Sequence, residues 1–119
     1  MNLYLIRHAQ SINNHLWEIH GSDEMRVEDP ELSDLGCLQA KLLARFMARR
    51  NLEMEPALDF RDLNGFCLTH IYVSPMVRAV ATGVEIGNHL GISPEMELEI
   101  YEGGGIYLTN PESGDREGL

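Results

Sequence analysis

The chain opens on an unbroken apolar run, Leu3-Tyr4-Leu5-Ile6, made of strand-forming residue types. Such a run, lacking polar alternation, predicts a parallel strand buried on both faces. Arg7-His8-Ala9-Gln10-Ser11 follows at once and so falls at that strand's carboxyl end. From about Ser11 to Ile19 the apolar residues Leu16, Trp17 and Ile19 suit a short helix, and the polar stretch 20–31, with Gly21 and Pro30, reads as a loop. Leu35, Leu38, Leu42 and Phe46 then recur at helical spacing. Ser33 can cap this helix, Asp34 places an anion in its first turn, and Arg45, Arg49 and Arg50 load its last turns, so it is predicted over 33–51. Residues 51–65 have no clean period and read as a connection with a short turn of helix.

The second half repeats the rhythm. Leu68 to Val73 predicts a second strand, and Ser74-Pro75 supplies a cap and a first-turn proline for a helix running to about His89, ahead of Gly91. Met96 to Tyr101 predicts a third strand, Glu102-Gly103-Gly104-Gly105 a flexible turn, and 110–119 an open loop. Strand, helix, strand, helix, strand defines a single α/β domain with a mostly parallel sheet covered by helices, a three-layer α/β/α arrangement. No internal repeat or low-complexity tract interrupts it.

Ligands in such sheets bind beyond the carboxyl ends of the strands, and the candidate chemistry falls there. Arg7 and His8 close the first strand, Arg78 sits in the first turn of the helix after the second, and Glu102 or Glu99 ends the third. An arginine in a first helical turn opposes the helix dipole, which makes sense if it faces an anion. Two guanidinium groups and an imidazole beside free helix N–H groups make a phosphate site. A carboxyl group adds the parts for acid-assisted phosphoryl transfer.

Composition narrows the partners. The 119 residues leave room for one domain, and 44% hydrophobic with 24% charged residues is ordinary for a globular chain. No apolar run is long enough to span a membrane, and the N-terminus has no signal-peptide pattern, so the expected location is the cytoplasm. The net charge of −10, with Lys41 the only lysine, argues against nucleic-acid binding. It leaves room for a small phosphorylated ligand, since local arginines decide that contact. Cys37 and Cys67 share no metal or redox motif and read as buried thiols. His8, His15 and His20 lack the spacing of a helical zinc pair, so no metal or other cofactor is expected.

Three segments resemble the histidine phosphatase (phosphoglycerate-mutase-like) superfamily over roughly residues 1–106. LYLIRHAQSINN, from Leu3 to Asn14, resembles its opening Arg-His-Gly signature, with Ala9 in place of the glycine. PELSDLGCLQA, from Pro30 to Ala40, resembles its Leu-Ser/Thr…Gly…Gln-Ala helix start, and IYVSPMVRAVAT, from Ile71 to Thr82, its Ser-Pro…Arg-Ala…Thr signature. The resemblance implies that His8 attacks phosphorus to form phosphohistidine, with its attacking nitrogen unprotonated. Arg7 and Arg78 would hold the phosphoryl oxygens, Asn14 would add a hydrogen bond to them, and Glu102, or else Glu99, would protonate the leaving oxygen.

The family's second histidine, in a late His-Gly pair, has no match: His89 lacks a following glycine, and His20-Gly21 lies too early. The family's sheet-completing elements after the acid are likewise unmatched. The chain is therefore expected to be the N-terminal portion of a longer protein, with a homodimer that completes its own sheet as the alternative. The expected activity is hydrolysis of a phosphomonoester in a small molecule or a phosphoprotein. Mutase-type phosphoryl transfer is the alternative, although the mutase pattern of Glu-Arg, aromatic and glycine is missing, since Ile100 follows Glu99 and Gly103 follows Glu102. A non-catalytic phosphate- or partner-binding module is the reading if the chain is complete.

Overall fold

The computed structural model describes residues 1–48, 66–100 and 107–118. Its elements are, in order, α1 (Ile12–His20), α2 (Asp34–Ala48), β1 (Tyr72–Val73), α3 (Val77–Leu90), β2 (Glu95–Met96), β3 (Tyr107–Thr109) and β4 (Arg116–Gly118). This is a mixed α/β chain with a small parallel sheet, as the sequence predicts. β1 pairs with β2 in parallel, Tyr72 opposite Glu95 and Val73 opposite Met96. The crossover between them is α3, which packs on β1, while α2 packs on α3.

Local signals account for the helix ends. Ser11 caps α1: its Oγ accepts from the Asn14 N–H at 3.2 Å, and its own N–H donates to Asn14 Oδ1 at 3.1 Å, a reciprocal capping box. Gly21 ends the helix in the left-handed region at φ 63°, where glycine carries no Cβ penalty. Ser33 Oγ accepts from the Gly36 N–H at 3.0 Å at the head of α2. Gly91, at φ 70°, closes α3.

The two caps are brought side by side by a short antiparallel contact. Ser33 N–H donates to Gln10 O at 3.0 Å, Ile12 N–H to Glu31 O at 2.9 Å, and Ser11 bridges Leu32. Gly36 makes this approach possible, since a Cβ built there would overlap the Gln10 carbonyl. Gly83 does the same between α3 and β1, where a Cβ would overlap the Val73 side chain. The core lies where α2 meets α3: Ala44, Met47 and Ile86 are buried, with Leu43, Phe66, Leu68, Ile71 and Leu90 around them. Phe66 makes edge-to-face contacts with Tyr4 and Phe46, centroids 5.2 and 5.6 Å apart.

Several expectations are corrected. Leu3 to Ile6 joins no ladder among the described residues, and Leu3 and Leu5 are 76% and 91% exposed. A parallel strand needs neighbours for its backbone and cover for both faces, and no described segment supplies them. The second and third strands are shorter than predicted. Ladder pairing begins only where Glu95 N–H donates to Ile71 O at 2.8 Å, so β1 keeps Tyr72–Val73 of the predicted run, and a turn closed by Ile100 N–H to Glu97 O at 3.2 Å ends the extension after β2.

Helix α2 buries a different face from its leucine stripe. Gly36, Ala40, Ala44 and Met47 are inside, whereas Leu35, Leu38, Leu42 and Phe46 are between 41% and 53% exposed. Small residues let two helices come close; the larger side chains lie to the side. Residues 110–118 are not an open loop, since β3 and β4 form an antiparallel hairpin. Asn110 Oδ1 organises its turn by accepting the N–H groups of Glu112 and Ser113 at 2.9 and 3.3 Å. Cys37 and Cys67 are exposed, not buried. The end of the predicted second helix beyond residue 48 and the whole connection at 51–65 lie outside the described residues.

Candidate active site

The site is built where the segment before α1 crosses the head of α3. Ser74 and Pro75 do not start that helix; a bend at Pro75 and Met76 precedes it, and Met76 is the N-cap, without a side-chain cap of its own. The cap comes instead from the loop before α2: Asp29 Oδ1 and Oδ2 accept the Val77 N–H at 3.1 and 3.3 Å. The same carboxylate lies 3.7 Å from Arg78 Nη1. Arg78 is thus the second residue of a helix whose positive end is already met by an anion, which lowers the cost of a cation there.

Arg78 is buried, 7% exposed, and reaches back to the nucleophile candidate. Its Nε–H donates to His8 Nε2 at 3.1 Å. An arginine can only donate, so Nε2 is the acceptor nitrogen of the ring. The other ring nitrogen, Nδ1, is 2.7 Å from Ala9 O and donates its proton there. The two contacts together define one neutral tautomer, with the proton on Nδ1 and the lone pair on Nε2 facing a guanidinium.

The remaining predicted residues are placed as follows. Arg7 precedes His8 directly and is exposed, with no hydrogen bond or ion pair among the described residues. Asn14 lies one helical turn after Ser11, and its Oδ1 is engaged by the capping box. Glu99 is exposed, its N–H held by Glu97 Oε1 at 3.1 Å. Glu102 lies outside the described residues. The structure therefore joins His8 to Arg78, sets Arg7 and Asn14 on either side of His8 along the chain, and leaves the acid unassigned. Beside Asn14 an open cavity of about 270 Å³ is lined by Asn13, Asn14, Trp17, Asp23 and Arg26. His20 is exposed, and His89 is tied to its own helix by a contact to Glu85 O at 2.9 Å.

Two residues at the site were not singled out by sequence reasoning. One is Asp29; its only signal was an acidic residue just before Pro30. The other is Thr82, which closes the Ser-Pro…Arg-Ala…Thr segment but was assigned no role; its Oγ1 accepts the Ala9 N–H at 3.1 Å and donates to Arg78 O at 2.8 Å. Among the described residues no group of three or more His, Cys, Asp or Glu side chains could hold a metal ion, and no helix is long and apolar enough to cross a membrane.

An imidazole lone pair thus meets a buried guanidinium where the segment before α1 lies on the head of α3. Residues 3–55 match the histidine phosphatase superfamily (branch 1), the superfamily that the three sequence segments resemble. It is similar to phosphoserine phosphatase 1 of Hydrogenobacter thermophilus, with 31% identity over 86% of this chain and 38% of the relative. Similarity to a second protein of that organism, putatively named phosphoserine phosphatase 2, is 33% over 85% of this chain and 43% of the relative. The fold is similar to that of a mycobacterial glucosyl-3-phosphoglycerate phosphatase, with a TM-score of 0.53 and 23% identity over 92% of this chain and 40% of that one. The chain thus spans about two fifths of the length of each of these proteins.

Proposed function

We propose that this chain carries the phosphoryl-accepting half of a phosphatase that hydrolyses phosphomonoesters through a phosphohistidine on His8. The observation that carries the proposal is the His8 tautomer: Nδ1–H is given to Ala9 O, and the Nε2 lone pair points at Arg78. On substrate binding, the phosphoryl oxygens replace Nε2 as acceptors for Arg78, which frees the lone pair for in-line attack. The Nε2–P bond forms as the ester P–O bond breaks, and the leaving oxygen takes a proton from a carboxyl group. Glu102 is assigned that role, with Glu99 as the alternative. Water then attacks the phosphohistidine, inorganic phosphate leaves, and His8 is restored.

Arg7 is adjacent to His8 and uncommitted among the described residues, so it adds a second guanidinium to the phosphoryl group. Asn14 Nδ2 adds a donor, and the cavity beside it takes the organic part of the ester. The substrate class is a phosphorylated small molecule or phosphoprotein in the cytoplasm. Phosphoserine, the substrate named for the similar proteins, is the first compound to try. The test is acid-labile, base-stable labelling of the chain by ³²P-phosphoserine and release of phosphate. The expected result is label on His8, lost in His8→Ala. Undiminished turnover in His8→Ala would refute the nucleophile, and label recovered in a rearranged product would favour mutase chemistry. Phosphate binding without label would favour the non-catalytic module.

A further inference from the structure

Four hydrogen bonds around His8 form a closed circuit. His8 Nδ1–H donates to Ala9 O at 2.7 Å, and Ala9 N–H donates to Thr82 Oγ1 at 3.1 Å. Thr82 Oγ1–H donates to Arg78 O at 2.8 Å, and Arg78 Nε–H donates to His8 Nε2 at 3.1 Å. We propose that Thr82 is a positioning residue for His8: its hydroxyl locks the backbone beside the nucleophile to the helix that carries Arg78, and so selects the ring tautomer with an unprotonated Nε2. This rests on the reading of His8 as the nucleophile, which it extends by naming what holds the nucleophile in place.

The chemistry of the hydroxyl suits the role. A helical threonine commonly donates to the carbonyl four residues back, which directs the Oγ1 proton to Arg78 O. The lone pairs are then left for an incoming donor, and Ala9 N–H is that donor. Thr82 is buried, 4% exposed, so water does not substitute readily for it. Ala9 and Thr82 are far apart in sequence, and no other described hydrogen bond ties the Ala9 N–H to α3. Without the hydroxyl, Ala9 is free to shift along the helix. Its carbonyl, which fixes Nδ1–H, shifts with it. A displacement of about 1 Å at a reacting group is enough to slow a reaction by up to about 100-fold.

The experiment compares the full chain with Thr82→Val, which keeps the shape and deletes the hydroxyl, and Thr82→Ser, which keeps the hydroxyl and deletes the methyl. Long-range ¹⁵N–¹H correlation spectra of the His8 ring report the tautomer without any need for turnover. The rate of His8 labelling by a phosphomonoester reports the consequence. Wild type and Thr82→Ser should show the Nδ1–H form and label at similar rates. Thr82→Val should lose the single tautomer and label at least roughly ten-fold more slowly, with substrate binding changed less than the rate. Should Thr82→Val fail to fold, Thr82→Ala replaces it under the same expectation. A single Nδ1–H tautomer in the hydroxyl-free variant overturns the proposal, as does a Thr82→Ser ring that behaves like Thr82→Val. Absence of labelling in wild type with the tautomer pattern intact counts against the phosphatase reading alone.

Discussion

Gly36 is the position where a single methyl group should tell most about how the site is held. In an ordinary helix interior, glycine to alanine stabilises by about 1 kcal/mol, because alanine loses less backbone freedom on folding. At residue 36 the added Cβ overlaps the Gln10 carbonyl, a backbone group rather than a yielding side-chain tip. Gln10 cannot simply retreat: its carbonyl accepts the Ser33 N–H at 3.0 Å, and its N–H donates to Gln39 Oε1 at 2.9 Å. Overpacking of this kind costs about 1–3 kcal/mol, and one strained or broken hydrogen bond adds about 0.5–1.5 kcal/mol. The steric terms outweigh the propensity gain, and Gly36→Ala should destabilise by about 1–3 kcal/mol.

Urea unfolding followed by Trp17 fluorescence and helix circular dichroism measures this. The midpoint should fall by roughly 1 M, given a slope of about 1–3 kcal/mol/M. Gly21→Ala is the reference, because residue 21 has φ 63° and nothing within 4 Å of a new Cβ, so its cost of about 1–2 kcal/mol is backbone strain alone. Gly36→Ala should also disturb the His8 ring, two residues from Gln10, whereas Gly21→Ala should leave it alone. An unchanged or higher midpoint for Gly36→Ala would refute the reasoning, since it would mean that the antiparallel contact at Gln10 yields freely.

Two further predictions probe the head of α3. Asp29→Ala should lower stability by about 0.5–2 kcal/mol through loss of the cap on Val77 N–H, while Asp29→Asn keeps an acceptor and should lose less; equal melting temperatures for the two variants would exclude the capping role. Arg78→Lys keeps the charge but loses the planar fork and the Nε–H that meets His8, so kcat/KM on p-nitrophenyl phosphate should fall about 100-fold or more. Wild-type activity in Arg78→Lys would remove Arg78 from phosphoryl binding.

The sequence by itself determined whatever depends on neighbours a few residues away. Ser11 begins α1 and Ser33 begins α2, because a short hydroxyl side chain satisfies N–H groups two or three residues ahead. Gly91 ends α3, because the left-handed region is cheap only for glycine. His8 and Arg78 were legible as candidates, since both follow predicted strands, but their contact is made by the segment before α1 lying on the head of α3 and not by a shared sheet edge.

Tertiary structure decided everything whose partner is distant. The leucine stripe of α2 has the same period as its small-residue face, and only the close approach of α3 selects Ala40, Ala44 and Met47 as the buried side. Residues 3–6 look like a buried strand, but strand character belongs to a ladder, and none of the described segments pairs with them. Ser74-Pro75 looks like a helix start, yet α3 begins at Val77, where Asp29 supplies the acceptor from another segment. Thr82 reads locally as one more helical residue. Its second hydrogen bond, to a backbone group 73 positions earlier, exists only once α3 lies against the segment that carries His8.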